Sequence, residues 1–123
     1  MMYKILSLLN RIFPAKAVYA HCDIPCGIYT VEPAKTAAKT VVRMVELIEQ
    51  LEPPNFANFN AETAKGKANS LVRYIAVKEE HAQKCKDELL ILWTDYFKPE
   101  HLGAFPNLHE TFWKAVKLCS KVK

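Results

Sequence analysis

The sequence predicts an all-α fold, an antiparallel helix bundle, and three observations favour it. Only three of the 123 residues are glycine and runs of β-branched residues are few, which argues against an all-β fold. The middle of the chain is rich in alanine, leucine, lysine and glutamate, which favour helices. Apolar residues recur there at steps of three and four, the period of a helix with one buried face. Half of the residues are apolar, enough for one domain with a sizeable core.

The first 20 residues predict a pro-segment that is cut off. Their apolar run, Ile5 to Leu9, is far too short to span a membrane and is followed by polar residues. Val18 and Ala20 supply the small residues of a cleavage site before His21. The alternative is an amphipathic arm that stays attached. Because the broken apolar run is a poor export signal, we expect a cytoplasmic protein, with export as the alternative.

The net charge of +4 is mostly a property of this leader. The leader holds Lys4, Arg11 and Lys16 and no acid, so the rest of the chain keeps 14 of the 17 basic residues against 13 acidic ones. A body this close to neutral does not predict a nucleic-acid partner, because such proteins carry clustered excess positive charge. No membrane partner is expected either.

The stretch HCDIPC, residues 21–26, follows the predicted cut and concentrates metal-binding side chains. Its Cys-x3-Cys spacing is weak evidence for zinc, since a structural zinc needs four ligands and no second pair exists. His81, His101 and His109 are scattered, which is typical of surface or helix-cap histidines. No nucleophile context supports a thiol protease, and a disulfide between the two cysteines remains an alternative.

Cutting before His21 would change what this stretch can bind. His21 would gain a free α-amine beside its imidazole, Cys22 would offer its amide nitrogen and thiolate, and Cys26 a second thiolate. Two nitrogens and two sulfurs can form a square plane with the imidazole as axial ligand, a geometry that favours nickel or copper over zinc. Pro25 restricts the turn, and Gly27 lets the chain leave closely.

Three helices follow. The first is predicted from Pro33 or Ala34 to Glu52, where Pro53-Pro54 stops it. Its apolar stripe is Ala34, Ala37, Val41, Val45, Ile48 and Leu51. The two phenylalanines of the Asn55 to Asn60 loop are expected to fix that loop to the core.

The second helix is predicted from Ala61 to Phe97 and the third from near Glu100 or after Pro106. The stripe of the second is Ile75, Ala82, Cys85, Leu89, Leu92 and Tyr96, and that of the third is Leu108, Phe112, Val116 and Cys119. Cys85 and Cys119 lie within these patterns and are expected to be small buried hydrophobic residues. Trp93 and Trp113 are expected in the core or an interface.

Two motifs resemble one known family. HCDIPCGIY resembles the amino-terminal nickel hook of nickel-containing superoxide dismutases, which read HCD-x-PCG-x-Y. ELLILWTDYFKPEHL (Glu88 to Leu102), followed by FPNLHETFWKAVKLCS, resembles the second block of that family, LW-[ST]-DYFKP. The resemblance covers residues 21–123 and implies one domain whose hook is residues 21–29. It implies a four-helix bundle, of which the sequence supplies three helices; an exposed apolar groove is the expected consequence.

The resemblance implies an enzyme that converts superoxide to dioxygen and hydrogen peroxide by Ni(III)/Ni(II) cycling, with one nickel ion per subunit. It implies that His21, Cys22 and Cys26 are the metal ligands. It places Asp23, Tyr29, Tyr96 and Lys98 around the substrate approach, with the tyrosines gating access and the lysine attracting the anion. Read alone, these four are a turn residue, two half-buried aromatics and a lysine at a helix C-terminus. Ile24-Pro25 is a candidate cis peptide.

The resemblance also implies partners: a homohexamer and a maturation protease that frees His21. Some members orient the axial histidine with a glutamate and an arginine, whose positions Ala37 and His81 take here. Two alternatives stay open. One is a non-catalytic nickel- or copper-binding module or inactive truncated product. The other is a small helical interaction protein with a Cys22–Cys26 disulfide.

Overall fold

The computed structural model describes residues 27–123, which form three α-helices and two short helical turns. The α-helices are α1, Glu32–Glu49; α2, Ala61–Ile91; and α3, Leu108–Lys121. A π-helical turn, Leu92–Tyr96, continues α2, and a 3-10 helix, Pro99–Gly103, follows it. The described residues contain no strand, so the all-α prediction is confirmed.

Both neighbours of α2 run antiparallel to it. Lys67 near the start of α2 pairs with Glu52 beyond the end of α1, whereas Cys85 farther along meets Ala37. On the other side, Lys78 donates to the carbonyl oxygen of Val122 at 2.8 Å, and Trp93 donates to His109. Because positions rise along α2 as they fall along α1 and α3, the short connections produce an up-down arrangement.

α1 lies slightly earlier than predicted: it begins at Glu32 instead of Pro33 or Ala34 and ends at Glu49 instead of Glu52. Pro33 occupies the first turn, where a missing N–H costs nothing. Its inward face is built of small side chains: Ala34, Ala37 and Val41 are buried. Such small residues let two helix backbones approach closely.

α2 begins at Ala61, as predicted, because Asn60 caps it. The Asn60 side-chain oxygen accepts the N–H groups of Glu62 and Thr63 at 3.0 and 3.1 Å. The predicted α-helical end at Phe97 is wrong. Regular helix stops at Ile91, and the N–H of Phe97 donates to the carbonyl of Leu92 at 3.2 Å, the five-residue spacing of a π turn.

α3 begins after Pro106, the later of the two predicted starts, and the 3-10 helix occupies the earlier one. Leu108 and Cys119 of its predicted stripe are buried. Cys119, Cys85 and Ala37 form a core cluster against which Leu89 packs. Both cysteines are buried free thiols, which confirms their predicted role as small core residues. Burial, and then the Cys119 thiol, raise the pKa of Cys85 from 9.0 to about 11.

The loop between α1 and α2 differs from the prediction. Phe56 and Phe59 are 83% and 60% exposed, so they do not fix the loop to the core. The loop is organised by asparagines instead: the Asn55 side chain accepts the N–H of Ala57 at 3.0 Å, and Asn60 caps α2. Since local hydrogen bonds already satisfy this backbone, buried aromatic contacts are not needed to hold it.

An apolar groove of about 480 Å³ runs between the three helices, as the sequence led us to expect. Ala34, Cys85 and Cys119 form its buried floor. Within residues 27–123, no helix combines the length and the apolar character needed to cross a membrane.

Candidate metal centre

The predicted metal ligands His21, Cys22 and Cys26 lie outside the described residues, as do Asp23 and the Ile24-Pro25 bond. The described residues that follow them in the chain begin at Gly27. Gly27 has a φ of +79°, in the region that favours glycine. The sequence assigned Gly27 to a close departure from the hook, and a backbone of this kind suits that role.

Tyr29 and Tyr96, far apart in sequence, meet in the structure. Their ring centroids lie 5.5 Å apart with the planes tilted by 56°. Tyr29 is half-buried, and Tyr96 is 44% exposed at the end of the π turn. The structure therefore brings together the two tyrosines that the resemblance placed at the substrate approach. Tyr29 is three residues after Cys26 in the chain.

The π turn sets the position of Tyr96. A regular helix would continue the stripe of Leu89 and Leu92 through Tyr96, burying it. The wider turn takes up more than four residues, so Leu92 stays 7% exposed while Tyr96 moves to the surface. The Thr94 hydroxyl supports this turn by donating to the carbonyl of Leu90 at 2.8 Å.

His101 holds Tyr96 from the other side. Its ring stacks on Tyr96 with centroids 5.8 Å apart and planes 14° apart, and stands perpendicular to Phe97 at 5.6 Å. The backbone N–H of Lys98 donates to Nδ1 of His101 at 2.9 Å, which leaves the ring proton on Nε2. The sequence predicted a surface or helix-cap histidine at His101, and the residue caps the 3-10 helix. Its contact with Tyr96 was missed.

Lys98 is exposed, two residues beyond Tyr96. Its backbone is extended, with φ −122° and ψ 163°, and the bond to His101 fixes that conformation. Lys98 therefore lies at the same end of the bundle as Tyr96. This places three of the candidate site residues, the two tyrosines and this lysine, at one end of the bundle.

The rings continue from the site into α3. Phe97 packs on Phe112 at 5.3 Å, Phe112 stacks on Trp93 at 6.2 Å, and the indole N–H of Trp93 donates to Nδ1 of His109 at 3.0 Å. Trp93 thus serves packing, as predicted, whereas Trp113 is 54% exposed. We call this set the aromatic end: Tyr29, Trp93, Tyr96, Phe97, His101, His109 and Phe112.

The chemistry that this end offers is polar but not metal-binding. Residues 27–123 contain no group of three or more His, Cys, Asp or Glu side chains placed to hold a metal ion. They offer two phenols, an imidazole and an ammonium group beside the point where the hook joins the bundle. Such groups can hold and attract a small anion next to a redox centre.

A family model for nickel-containing superoxide dismutase matches residues 16–123. The chain belongs to the nickel-containing superoxide dismutase family. Superoxide dismutase [Ni] of Streptomyces seoulensis is 34% identical over 117 residues, 94% of this chain and 79% of that protein. The Streptomyces coelicolor protein of the same name is 32% identical with the same coverage.

A crystal structure of Ni-containing superoxide dismutase, with nickel ligation corresponding to the state after partial X-ray-induced reduction, is also similar. It is 33% identical with a TM-score of 0.62, covering 83% of this chain and 75% of that one. Family membership confirms the resemblance carried by the hook and by LWTDYFKP. The ligand set and the roles of Asp23, Tyr29, Tyr96 and Lys98 remain predictions.

Ala37 and His81 take the positions at which some family members carry the residues that orient the axial histidine. Both lie within residues 27–123. Ala37 is 4% exposed within the core cluster and has no polar side-chain atom to orient a ligand. His81 is half-buried, and its Nδ1 lies 2.9 Å from the carbonyl oxygen of Val77 in its own helix. When Nδ1 donates to that carbonyl, Nε2 is the acceptor that His81 can offer elsewhere.

Proposed function

We propose that this chain is a superoxide dismutase that uses nickel, converting two superoxide anions and two protons to dioxygen and hydrogen peroxide. The family match supports the reaction and the metal. His21, Cys22 and Cys26 would hold a nickel ion, which would supply Ni(III)/Ni(II) redox chemistry when bound. The observation that carries the site assignment is the pairing of Tyr96 with Tyr29, the last residue of the hook.

The donor set suits this metal. Cys22 and Cys26 would offer two thiolates, and His21 and Cys22 an amine and an amide nitrogen, a strongly charge-donating set that would favour nickel or copper over zinc. Thiolate and amide anions favour a higher oxidation state, which a one-electron redox cycle needs. The α-amine exists only when the peptide bond before His21 is cut, so we propose a precursor matured by a protease.

The described residues would act on the substrate, not on the metal. Tyr96, exposed at its edge and stacked on His101, presents a phenol that can donate a hydrogen bond to superoxide or to water. Tyr29 contacts the Tyr96 ring and narrows the path by which superoxide approaches the metal site. Lys98 adds a positive charge that attracts the anion from solvent. Protons for the peroxide come from solvent at this exposed edge.

Assembly and compartment are further parts of the proposal. We propose a homo-oligomer, a hexamer as the family resemblance implies, with one nickel per subunit. Exposed apolar side chains support subunit contacts: Ile28 is 72% exposed beside the hook, and Phe105 is 58% exposed. A cytoplasmic location is proposed from the broken apolar run of the leader.

The experiment is to mature the chain to a His21 start with a protease, load it with nickel, and measure nickel content and superoxide turnover. We expect bound nickel, one ion per chain, and turnover, both abolished by Cys22→Ser or Cys26→Ser and both retained by the core control Cys85→Ala. Nickel without turnover would favour the non-catalytic binding module. Absence of nickel, with a Cys22–Cys26 disulfide, would favour the interaction protein.

A further inference from the structure

The apolar groove has the shape and exposure of a binding surface for a helix. Its rim is formed by Val31 just before α1, Val42 of α1 and Leu118 of α3, which are 50%, 58% and 59% exposed. A continuous row of exposed apolar side chains above a buried apolar floor marks an interaction site. From Val31 to Val42 the α1 wall rises about 16 Å at 1.5 Å per residue, equal to about three turns of helix.

The leader contains a segment of matching length and pattern. Residues 2–13 read MYKILSLLNRIF, with aliphatic, Met and Phe side chains at Met2, Ile5, Leu6, Leu8, Leu9, Ile12 and Phe13. These steps of three and four place them on one face of a helix, with Lys4 and Arg11 on the opposite face. Twelve residues of helix rise about 18 Å, which fits the groove.

The connection permits this docking and favours it over a second copy. Residues 14–26 join the segment to Gly27, only four residues before the rim residue Val31. Thirteen residues can extend about 45 Å, so the helix can lie along the groove in either direction. A short tether gives an effective concentration on the order of millimolar, which another molecule cannot match at ordinary protein concentrations.

We propose that residues 2–13 of the uncut chain form an amphipathic helix that lies in the apolar groove between α1, α2 and α3. The occupant is the leader of the same molecule, and binding does not depend on nickel. Cleavage before His21 removes the tether, so the segment loses its effective concentration and dissociates. Cleavage before His21 would free the α-amine of that residue, a predicted metal ligand. The same cut therefore also exposes the apolar groove in the mature protein.

The first test is hydrogen–deuterium exchange on the full chain, expressed without a maturation protease. We expect amides of residues 2–13 to exchange at least about tenfold more slowly than in a free peptide of the same sequence, because a docked helix opens only when it undocks. Leu118→Arg should remove that protection. Val72→Arg is the matched control, because Val72 is 66% exposed on α2 and does not line the groove.

A second pair of variants tests the leader itself. Leu9→Asp puts a charge on the apolar face and should abolish the protection. Asn10→Asp, which adds the same charge at the next position on the polar face, should leave it intact. Unprotected amides in the wild-type chain, or equal exchange in each variant and its control, would overturn the proposal.

Crosslinking identifies the occupant. A benzoylphenylalanine at Leu9 should crosslink to groove residues such as Val42 or Leu118 of its own chain. Mixing isotope-labelled and unlabelled chains separates crosslinks within one molecule from those between molecules. Crosslinks only between chains would mean that a second copy fills the groove, and crosslinks outside the groove would place the leader elsewhere. Either result would overturn the proposal.

Discussion

At each end of the helix bundle the chain turns from one helix to the next, and aromatic residues lie near the turn. The contacts that hold these aromatic residues differ between the two ends. At the aromatic end, Phe97 contacts both His101 and Phe112 and is half-buried. At the opposite end, Phe56 and Phe59 stand largely in solvent, and asparagine side chains hold the backbone. Ring contacts between elements hold the side chains at the first end, whereas local hydrogen bonds and the Lys67–Glu52 ion pair hold the second.

This difference shows where the fold fixes side chains in space. A local asparagine cap defines a backbone turn but leaves neighbouring side chains free. A chain of ring contacts that joins the π turn, the 3-10 helix and α3 fixes the side chains themselves. A site that must hold a small anion beside a metal needs the second kind of support, because its groups must be positioned before the substrate arrives.

The largest difference should come from removing one aromatic side chain at each end. Tyr96→Ala removes contacts with Tyr29, Phe97 and His101, so we expect superoxide turnover per bound nickel to fall at least about tenfold. Its free energy of unfolding should fall by about 1–3 kcal/mol. Phe56→Ala, at the exposed ring, should change stability by less than about 0.5 kcal/mol and leave turnover unchanged. Turnover and urea unfolding test both variants.

Equal losses in these two variants would mean that Tyr96 is an ordinary packing residue. The conservative variant Tyr96→Phe separates the roles further. It keeps the ring contacts and loses only the hydroxyl, so stability should hold while turnover falls. Turnover equal to that of the wild type in Tyr96→Phe would show that the phenol does not act on the substrate.

The sequence predicted the helices well because their signals are local. Asn60 caps α2 one residue before its predicted start, and the stripes around Ala37, Cys85 and Cys119 became the core cluster. The hook and LWTDYFKP predicted the family because their residue types and spacing are specific. These features depend on neighbours within a few positions in the chain, which a single sequence displays.

The remaining features depend on tertiary contacts. Nothing in LWTDY distinguishes a π turn from a regular turn, and the residue that follows it, Phe97, packs against Phe112 of another helix. The stack of His101 on Tyr96 arises only because the 3-10 helix folds back over that turn. One signal in the sequence could have predicted the cap formed by His101. His101 is the third residue after Lys98 in a turn that begins with proline, and a side chain at that position can cap the turn.

The next comparison removes one cap at each end. His101→Ala loses the bond from the Lys98 N–H and the stack on Tyr96, and Asn60→Ala loses the cap of α2. We expect each to lower the free energy of unfolding by about 1 kcal/mol. Only His101→Ala should also lower turnover per bound nickel, by a few-fold, because it releases Tyr96 and Lys98. Loss of nickel in His101→Ala would instead assign it to the metal site.

A smaller effect is expected from surface charge. Lys98→Gln should lower kcat/KM for superoxide a few-fold at low ionic strength, because the anion loses an attracting charge beside the site. The difference should shrink as salt is raised, since screening shortens the reach of that charge to about 3 Å at 1 M. Lys65→Gln is the matched control, a lysine near the opposite end paired with Glu62 at 3.7 Å. A salt-independent loss in Lys98→Gln would indicate direct contact with substrate.

The last comparison sets the two ends against the core between them. The pKa of Cys85, raised from 9.0 to about 11 by burial and then by the Cys119 thiol, is ordinary in the unfolded chain. Between these pH values the folded protein keeps a proton that the unfolded chain releases. The stability that comes from the raised pKa of Cys85 is therefore fully present below pH 9 and is lost as pH rises toward 11. Urea unfolding under reducing conditions should show a steeper loss between pH 8.5 and about 10.5 for the wild type than for Cys85→Ala. Parallel losses would mean that groups exposed at the two ends, and not this buried thiol pair, set the alkaline limit.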